Sequence, residues 1–177
     1  MEVFQGRPAD VTGRLEKEIA VYDQLDQLDI PFRRVDHDHA DTMEMCQEID
    51  QALGQDICKN LFLCNRQKTK FYLLLMPGSK PFKTKDLSAQ IGSSRLSFGG
   101  PEDMERLLHL TPGSVTVLGL MYDPDCQVTL LIDQDLYQQT AFGCHPCINT
   151  STVQFSTADL REKLLPALGH PVTLVQL

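Results

Sequence analysis

Three short stretches hold residue types that can do chemistry: Lys59 and Asn60 in "CKNLFLCN" (58–65), Cys144, His145 and Cys147 in "CHPC", and the "HDH" of residues 37–39. A lysine and an amide on a run that is otherwise apolar and strand-like need a reason, because a buried charge without a partner is costly. Facing a ligand is one reason, and guarding a strand edge against aggregation is the other. Cysteines two residues apart suit thiol–disulfide exchange when they open a helix, whose dipole lowers the first thiol's pKa. Here Pro146 and "INTSTVQF" read as a loop running into a strand, and a zinc site would need a second paired cluster that the sequence lacks. Most of the six cysteines are therefore expected to be small buried hydrophobes in a reducing compartment. His37 and His39 read as solvated strand-end residues, and His109 and His170 as structural residues beside helix ends; His145 differs, lying in a polar cluster with Asn149, Thr150 and Ser151. No Gly-x-Ser-x-Gly elbow supplies a nucleophilic serine, and "GSSRLSFGG" has neither the spacing nor the lysine of a phosphate-binding loop. If the chain cleaves an ester, it should do so by positioning water, with Lys59 and backbone dipoles holding charge.

The elements that must position these residues can be read from the patterning. Thr12 precedes "GRLEKEIAVYDQLDQLDI", whose apolar residues Leu15, Ile19, Tyr22, Leu25 and Leu28 recur at helical spacing, and Thr12 is the expected N-cap. "FRRVDH" (32–37) reads as a strand, and Thr42 caps a second helix that stops at Gly54. "CKNLFLCN" and "KFYLLLMP", separated by "RQKT", read as a hairpin with a basic turn. "KTKDLSAQIG" and "PEDMERLLHL" read as helices, the second with Pro101 in its first turn. "SVTVLGLMYD", "CQVTLLID", "TAFGC" and "STVQFS" read as strands, "TADLREKLLPAL" as a helix capped by Thr157, and "VTLVQL" as a closing strand. With no linker and no internal repeat, residues 1–177 are expected to form one α/β domain of the α+β type: a mixed, largely antiparallel sheet, curved or partly closed into a barrel, flanked by helices.

Bulk properties narrow the function further. The 177 residues are 42% hydrophobic and 23% charged, the make-up of a chain that folds on its own core. No apolar run is long enough to cross a bilayer and the first residues lack a signal-peptide pattern, so a cytoplasmic protein with no membrane partner is expected. The formal net charge of −8 argues against a surface that grips DNA or RNA all over. From Lys59 to Arg95, however, eight basic residues face a single acid, Asp86, a positive island suited to steering a polyanion.

Five blocks in order, "KNLFL" (59–63), "KFYLLLMPGSK" (70–80), "SSRLSF" (93–98), "LTPGSVTVLGL" (110–120) and "HPCINTSTVQF" (145–155), give the chain a resemblance to the freestanding prolyl-tRNA editing proteins (ProXp-ala and PrdX type). These belong to the wider YbaK-like group and are related to the editing domain inserted in bacterial prolyl-tRNA synthetases. The resemblance covers nearly the whole chain. It implies a mixed α/β fold with a strongly curved sheet around a pocket. The implied activity is hydrolysis, without cofactor or metal, of the ester joining alanine to the 3′ end of proline tRNA, so the acceptor end of that tRNA is the implied partner. Lys59 and Asn60 match the family's strand lysine and asparagine, which are proposed to engage the terminal adenosine and hold the substrate. His145 matches the pocket histidine at the aminoacyl end, with Asn149 among the substrate-binding residues. Gly113 to Val117 match a loop of glycine, three residues and proline, so that Gly113 is implied in catalysis and Ser114, Val115 and Thr116 in substrate binding through backbone groups that position ester and water. Val117 departs from the family's proline, which restores an N–H and frees φ. Two readings of other classes compete: a catalytically idle module that binds RNA or another partner on the same fold, and a redox or metal protein built on "CHPC". A deacylase for another small aminoacyl-tRNA is the near alternative.

Overall fold

The computed structural model describes all of residues 1–177. In chain order the elements are β1 (Phe4–Gln5), α1 (Glu16–Gln27), β2 (Arg33–Asp36), α2 (Met43–Leu53), β3 (Lys59–Cys64), β4 (Phe71–Met76), α3 (Thr84–Ile91), β5 (Ser97–Phe98), α4 (Pro101–Leu108), a 3₁₀ helix Val117–Tyr122, β6 (Val128–Asp133), a single helical turn Gln134–Tyr137, β7 (Ala141–Cys144), β8 (Ser151–Ser156), a C-terminal helix running from Thr157 to Leu168, and β9 (Val172–Val175). The strands form two sheets: a four-stranded one in the order β1-β2-β8-β7 and a five-stranded one in the order β5-β3-β4-β6-β9. Every pairing in the first is antiparallel, while β4–β6 and β6–β9 in the second are parallel. The mixed, largely antiparallel architecture expected from the sequence is present, but as two separate sheets and not as a barrel.

The main core lies between the sheets, with Phe62, Cys64, Leu73 and Leu75 from one and Phe142, Cys144, Val153 and Phe155 from the other. A smaller cluster on the far face of the five-stranded sheet packs Leu63, Leu74 and Met76 under Leu87 of α3, and a third packs Val35 under Ile49 and Leu53 of α2. The alternation along β3 follows from this. Phe62 and Cys64 point into the main core and Leu63 into the second, so Asn60, of the same parity as Phe62, faces the space between the sheets, while Lys59 and Leu61 belong to the other face.

Several sequence expectations are corrected in detail. "SVTVLGLMYD" is not a strand: Thr116 caps the 3₁₀ helix, its hydroxyl accepting from Leu118 N at 3.3 Å, and Val117 to Leu120 are buried on it. Its apolar run could not be assigned by pattern alone because a fully buried helix turn and a buried strand read alike. Leu15, not Thr12, is the N-cap of α1 and makes no side-chain cap bond. Ser156, not Thr157, caps the C-terminal helix by accepting from Asp159 N at 3.0 Å. That helix widens to a π turn at Leu160–Leu164, just ahead of Pro166, whose ring would otherwise collide with the carbonyl four residues earlier. Thr42 does cap α2, accepting from Met45 N at 3.2 Å, and Gly54 ends it at φ 71°.

Candidate active site

Where β3 begins, the sheets are tied together by Cys58 N donating to the Gly143 carbonyl at 3.3 Å. Beside this tie lies an inner cavity of about 200 Å³, lined by Ile57, Cys58, Asn60, Gly113, Val115, Cys144 and His145. An outer cavity of about 430 Å³ shares Ile57, Cys58 and His145 with it and adds Lys59, Gly78, Ser79 and residues of α2. Lys59 lines the outer cavity and Asn60 the inner one, in keeping with their opposite parity on the strand. A third, more open cleft of about 500 Å³ lies behind the 111–113 loop and is lined by Arg14, Lys17, Asp41, Thr111, Pro112 and Asn149, among others.

The residues implied by the sequence are placed as follows. The Lys59 ammonium donates to the Lys80 carbonyl. Because β5 pairs only with Leu63 and Cys64, the part of β3 that carries Lys59 and Asn60 is an open edge. Asn60 Oδ1 accepts from Val117 N at 3.1 Å, and Asn60 Nδ2 lies 3.1 Å from Cys58 Sγ. His145 donates through Nδ1 to the Ser151 carbonyl at 2.9 Å, which leaves Nε2 as a lone-pair acceptor at the junction of the two cavities. Burial, with His37 close by at a ring separation of 6.1 Å, lowers the His145 pKa and keeps the ring neutral. Gly113 has φ +88°, and a Cβ there would lie 3.0 Å from Asn149 Nδ2, so the loop that walls the inner cavity requires glycine.

Ser114, Thr116 and Asn149 do not line the inner cavity. Ser114 Oγ donates to the Thr111 carbonyl at 2.8 Å and so closes the turn that presents Gly113. Asn149 lies against Gly113 and is itself held by residues 40 and 41, donating to Asp41 Oδ1 at 2.9 Å and accepting from Ala40 N at 3.2 Å. Sequence reading missed Ile57, Cys58 and Cys144 as cavity walls. Nothing in their types distinguishes them from core residues, and only Cys58's place next to Lys59 hinted at it.

"CHPC" builds cavity walls. Cys144 and Cys147 are free and buried, and burial pushes both thiols up to about 12, which opposes thiolate chemistry. Cys58 and Cys64 are also buried, whereas Cys46 and Cys126 are exposed. His37 is half-buried and lies 2.9 Å from Thr152 Oγ1, not loose in solvent as expected, while His39 is exposed. The positive island is spread along the β3–β4 hairpin and is partly paired. Lys80 is neutralised by Asp133 and Asp135, both at 2.7 Å. Arg66, Lys68 and Lys70 sit at the hairpin turn, a full strand length of roughly 17 Å from Lys59 at ~3.4 Å per residue.

Residues 37–163 match the aminoacyl-tRNA editing domain. The chain is 31% identical over 163 residues to the prolyl-tRNA editing protein ProX of Acetoanaerobium sticklandii, covering 92% of this chain and 99% of that protein. It is 28% identical over 162 residues to the prolyl-tRNA synthetase associated domain-containing protein 1 of Danio rerio, covering 90% and 86%. A crystal structure proposed to be a trans-editing enzyme for prolyl-tRNA synthetase superposes with a TM-score of 0.66 over 92% of this chain and 98% of that one, at 17% identity, a likeness of fold. The chain belongs to the aminoacyl-tRNA editing family, whose chemistry is hydrolysis of an aminoacyl ester. No helix is long and apolar enough to cross a membrane.

Proposed function

We propose that this protein clears mischarged proline tRNA, hydrolysing the ester that joins alanine to its terminal adenosine. The observation that carries the reading is the junction of two cavities at His145: an inner one of about 200 Å³ with apolar walls, and an outer one of about 430 Å³ beside Lys59. The small cavity suits a short side chain, and the larger one suits the adenosine. In the resulting arrangement Lys59 and the backbone near Gly78 hold the nucleoside. His145 Nε2 accepts a hydrogen bond from the aminoacyl end, and the Gly113 loop together with the Asn60 amide surrounds the ester carbonyl. Water adds to the carbonyl carbon, fixed N–H groups carry the negative charge that develops on the oxygen, the bond to the ribose oxygen breaks, and that oxygen takes the proton that the water gives up. An aminoacyl ester is already activated, so positioning and fixed dipoles suffice without a covalent nucleophile. The named activity of the Acetoanaerobium relative supports proline tRNA as the substrate carrier.

Deacylation of Ala-tRNA and Pro-tRNA of the proline type, by the wild-type protein and by Lys59→Ala, tests the proposal. Loss of alanine alone, weakened at least tenfold by the substitution, is expected. Rates equal to spontaneous hydrolysis on both substrates would overturn it.

A further inference from the structure

Asn60 carries both an acceptor and a donor on one amide, and a ligand in the inner cavity meets whichever end is turned towards it. A neighbouring main-chain group decides this. Val117 N donates to Asn60 Oδ1 at 3.1 Å, so the oxygen is occupied and Nδ2 is the end left for the cavity and for Cys58. The carbonyl of Cys58, 3.4 Å from Nδ2, is a weak competitor. Val117 N has no role in the ladder of its own 3₁₀ helix, being its first residue, so this hydrogen bond is the use the fold makes of it. Resting on the reading that the inner cavity receives an aminoacyl ester, we propose that the Val117 N–H is a positioning group that holds Asn60 as a hydrogen-bond donor to the ester carbonyl. Were the amide reversed, its oxygen would face the carbonyl and repel the charge that grows there.

Proline at 117 isolates the N–H. Thr116 is extended, with φ −155° and ψ 151°, as a residue before proline must be, and the first residue of a helix tolerates proline. The ring places a carbon where the hydrogen was, so Asn60 Oδ1 has to leave. The experiment is a double-mutant cycle on alanyl-tRNA hydrolysis with Val117→Pro and Asn60→Ala. Val117→Pro is expected to lower kcat about tenfold with KM within about threefold, the range of one lost orienting hydrogen bond. Asn60→Ala should lower kcat about a hundredfold, and Val117→Pro should add nothing in that background. Val117→Ala, which keeps the N–H, should lose less kcat than Val117→Pro. Asn60→Asp keeps an acceptor for Val117 but offers no donor. It should be as impaired as Asn60→Ala while its Val117 amide stays protected from hydrogen exchange. Additive effects in the cycle, an Asn60→Asp variant as active as the wild type, or a Val117 amide that exchanges as fast in the wild type as in Asn60→Ala would each overturn the proposal. A wild-type protein that leaves alanyl esters intact would instead overturn the functional reading, and the exchange measurement then still decides whether Val117 orients Asn60.

Discussion

Replacing Gly113 by alanine should separate catalysis from folding. The residue sits at φ +88°, where a side chain costs about 1–2 kcal/mol. The added Cβ would also meet Asn149 Nδ2 at 3.0 Å, and Asn149 cannot swing freely because Asp41 Oδ1 and Ala40 N hold both ends of its amide. The loop must therefore shift by a few tenths of an ångström towards the inner cavity, which is only about 200 Å³ to begin with. At about 2–4 °C per kcal/mol for a chain of this size, the backbone strain alone lowers Tm by roughly 2–8 °C. A displacement of a positioned ester by a fraction of an ångström costs about tenfold or more in kcat, since ~1 Å is worth about a hundredfold. The assay is single-turnover hydrolysis of alanyl-tRNA beside thermal unfolding. Adding Asn149→Ala removes the contact but not the φ strain, so the double variant should regain part of the rate while remaining less stable than the wild type. A Gly113→Ala protein with wild-type rate and Tm would refute the reasoning.

Lys59→Ala should raise KM for the aminoacyl-tRNA tenfold or more and lower Tm by no more than about 6 °C, because its one hydrogen bond, to the Lys80 carbonyl, is at a half-exposed edge and is worth about 0.5–1.5 kcal/mol at ~2–4 °C per kcal/mol; kinetics and thermal unfolding check both. His145 has a lowered pKa, so it is neutral in the folded state at pH values where an unfolded chain's histidine, near 6.5, begins to bind protons. Its contribution to stability is thus complete above about 6.5 and is lost as the pH falls, and the acid limb of the ratio of enzymatic to spontaneous hydrolysis should fall below 6.5 and disappear in His145→Ala. Asp123, fully buried, accepts hydrogen bonds from Val128 N at 2.8 Å, Gln127 N at 2.9 Å and His170 Nε2 at 2.9 Å, so Asp123→Ala leaves buried donors unpaired and should destabilise by about 3 kcal/mol or more, read by denaturant unfolding, with little change in rate per folded molecule. With Lys80 neutralised and Arg66, Lys68 and Lys70 distant, tRNA binding should lose affinity with salt at a slope of magnitude no more than about 2, corresponding to two or three phosphates at ~0.7 each; a slope near 6 would show a larger phosphate footprint.

What the sequence made legible was set by period and by chemical oddity. The β3–β4 hairpin and the cap pair of Thr42 and Gly54 are local signals, and local interactions decide them. Lys59 and Asn60 stood out because an otherwise apolar strand carries such residues only to face a ligand or to guard an open edge. That they serve different cavities was implicit in their being neighbours, but only the packing of Phe62 and Leu63 on opposite sides says which cavity is whose. The division into two sheets was not legible, because β2 pairs with β8 across more than a hundred residues and nothing local encodes that partner. The same holds for Asn149, whose polar type suggested contact with substrate, since its hydrogen bonds to Asp41 and Ala40 join segments more than a hundred residues apart. Val117 is the instructive case. A valine where the resembling family has proline reads as relaxation of a rigid loop, yet the N–H it restores is taken up by Asn60.

On the proposed function, the walls of the inner cavity would make the site selective by size. Ile57, Cys58, Val115 and Cys144 are apolar, and Cys58 and Cys144 continue directly into the core between the sheets, where repacking is costly. Such walls cannot favour a small side chain strongly, since one methylene is worth only about 1–3 kcal/mol, but they exclude a larger ring by collision. An editing enzyme needs that asymmetry: the correct amino acid must be refused and the smaller error admitted. Enlarging the cavity with Ile57→Ala should therefore raise hydrolysis of Pro-tRNA relative to Ala-tRNA. Measured side by side on the two substrates, an unchanged ratio would mean that discrimination resides in the RNA-facing outer cavity and not in the size of the inner one.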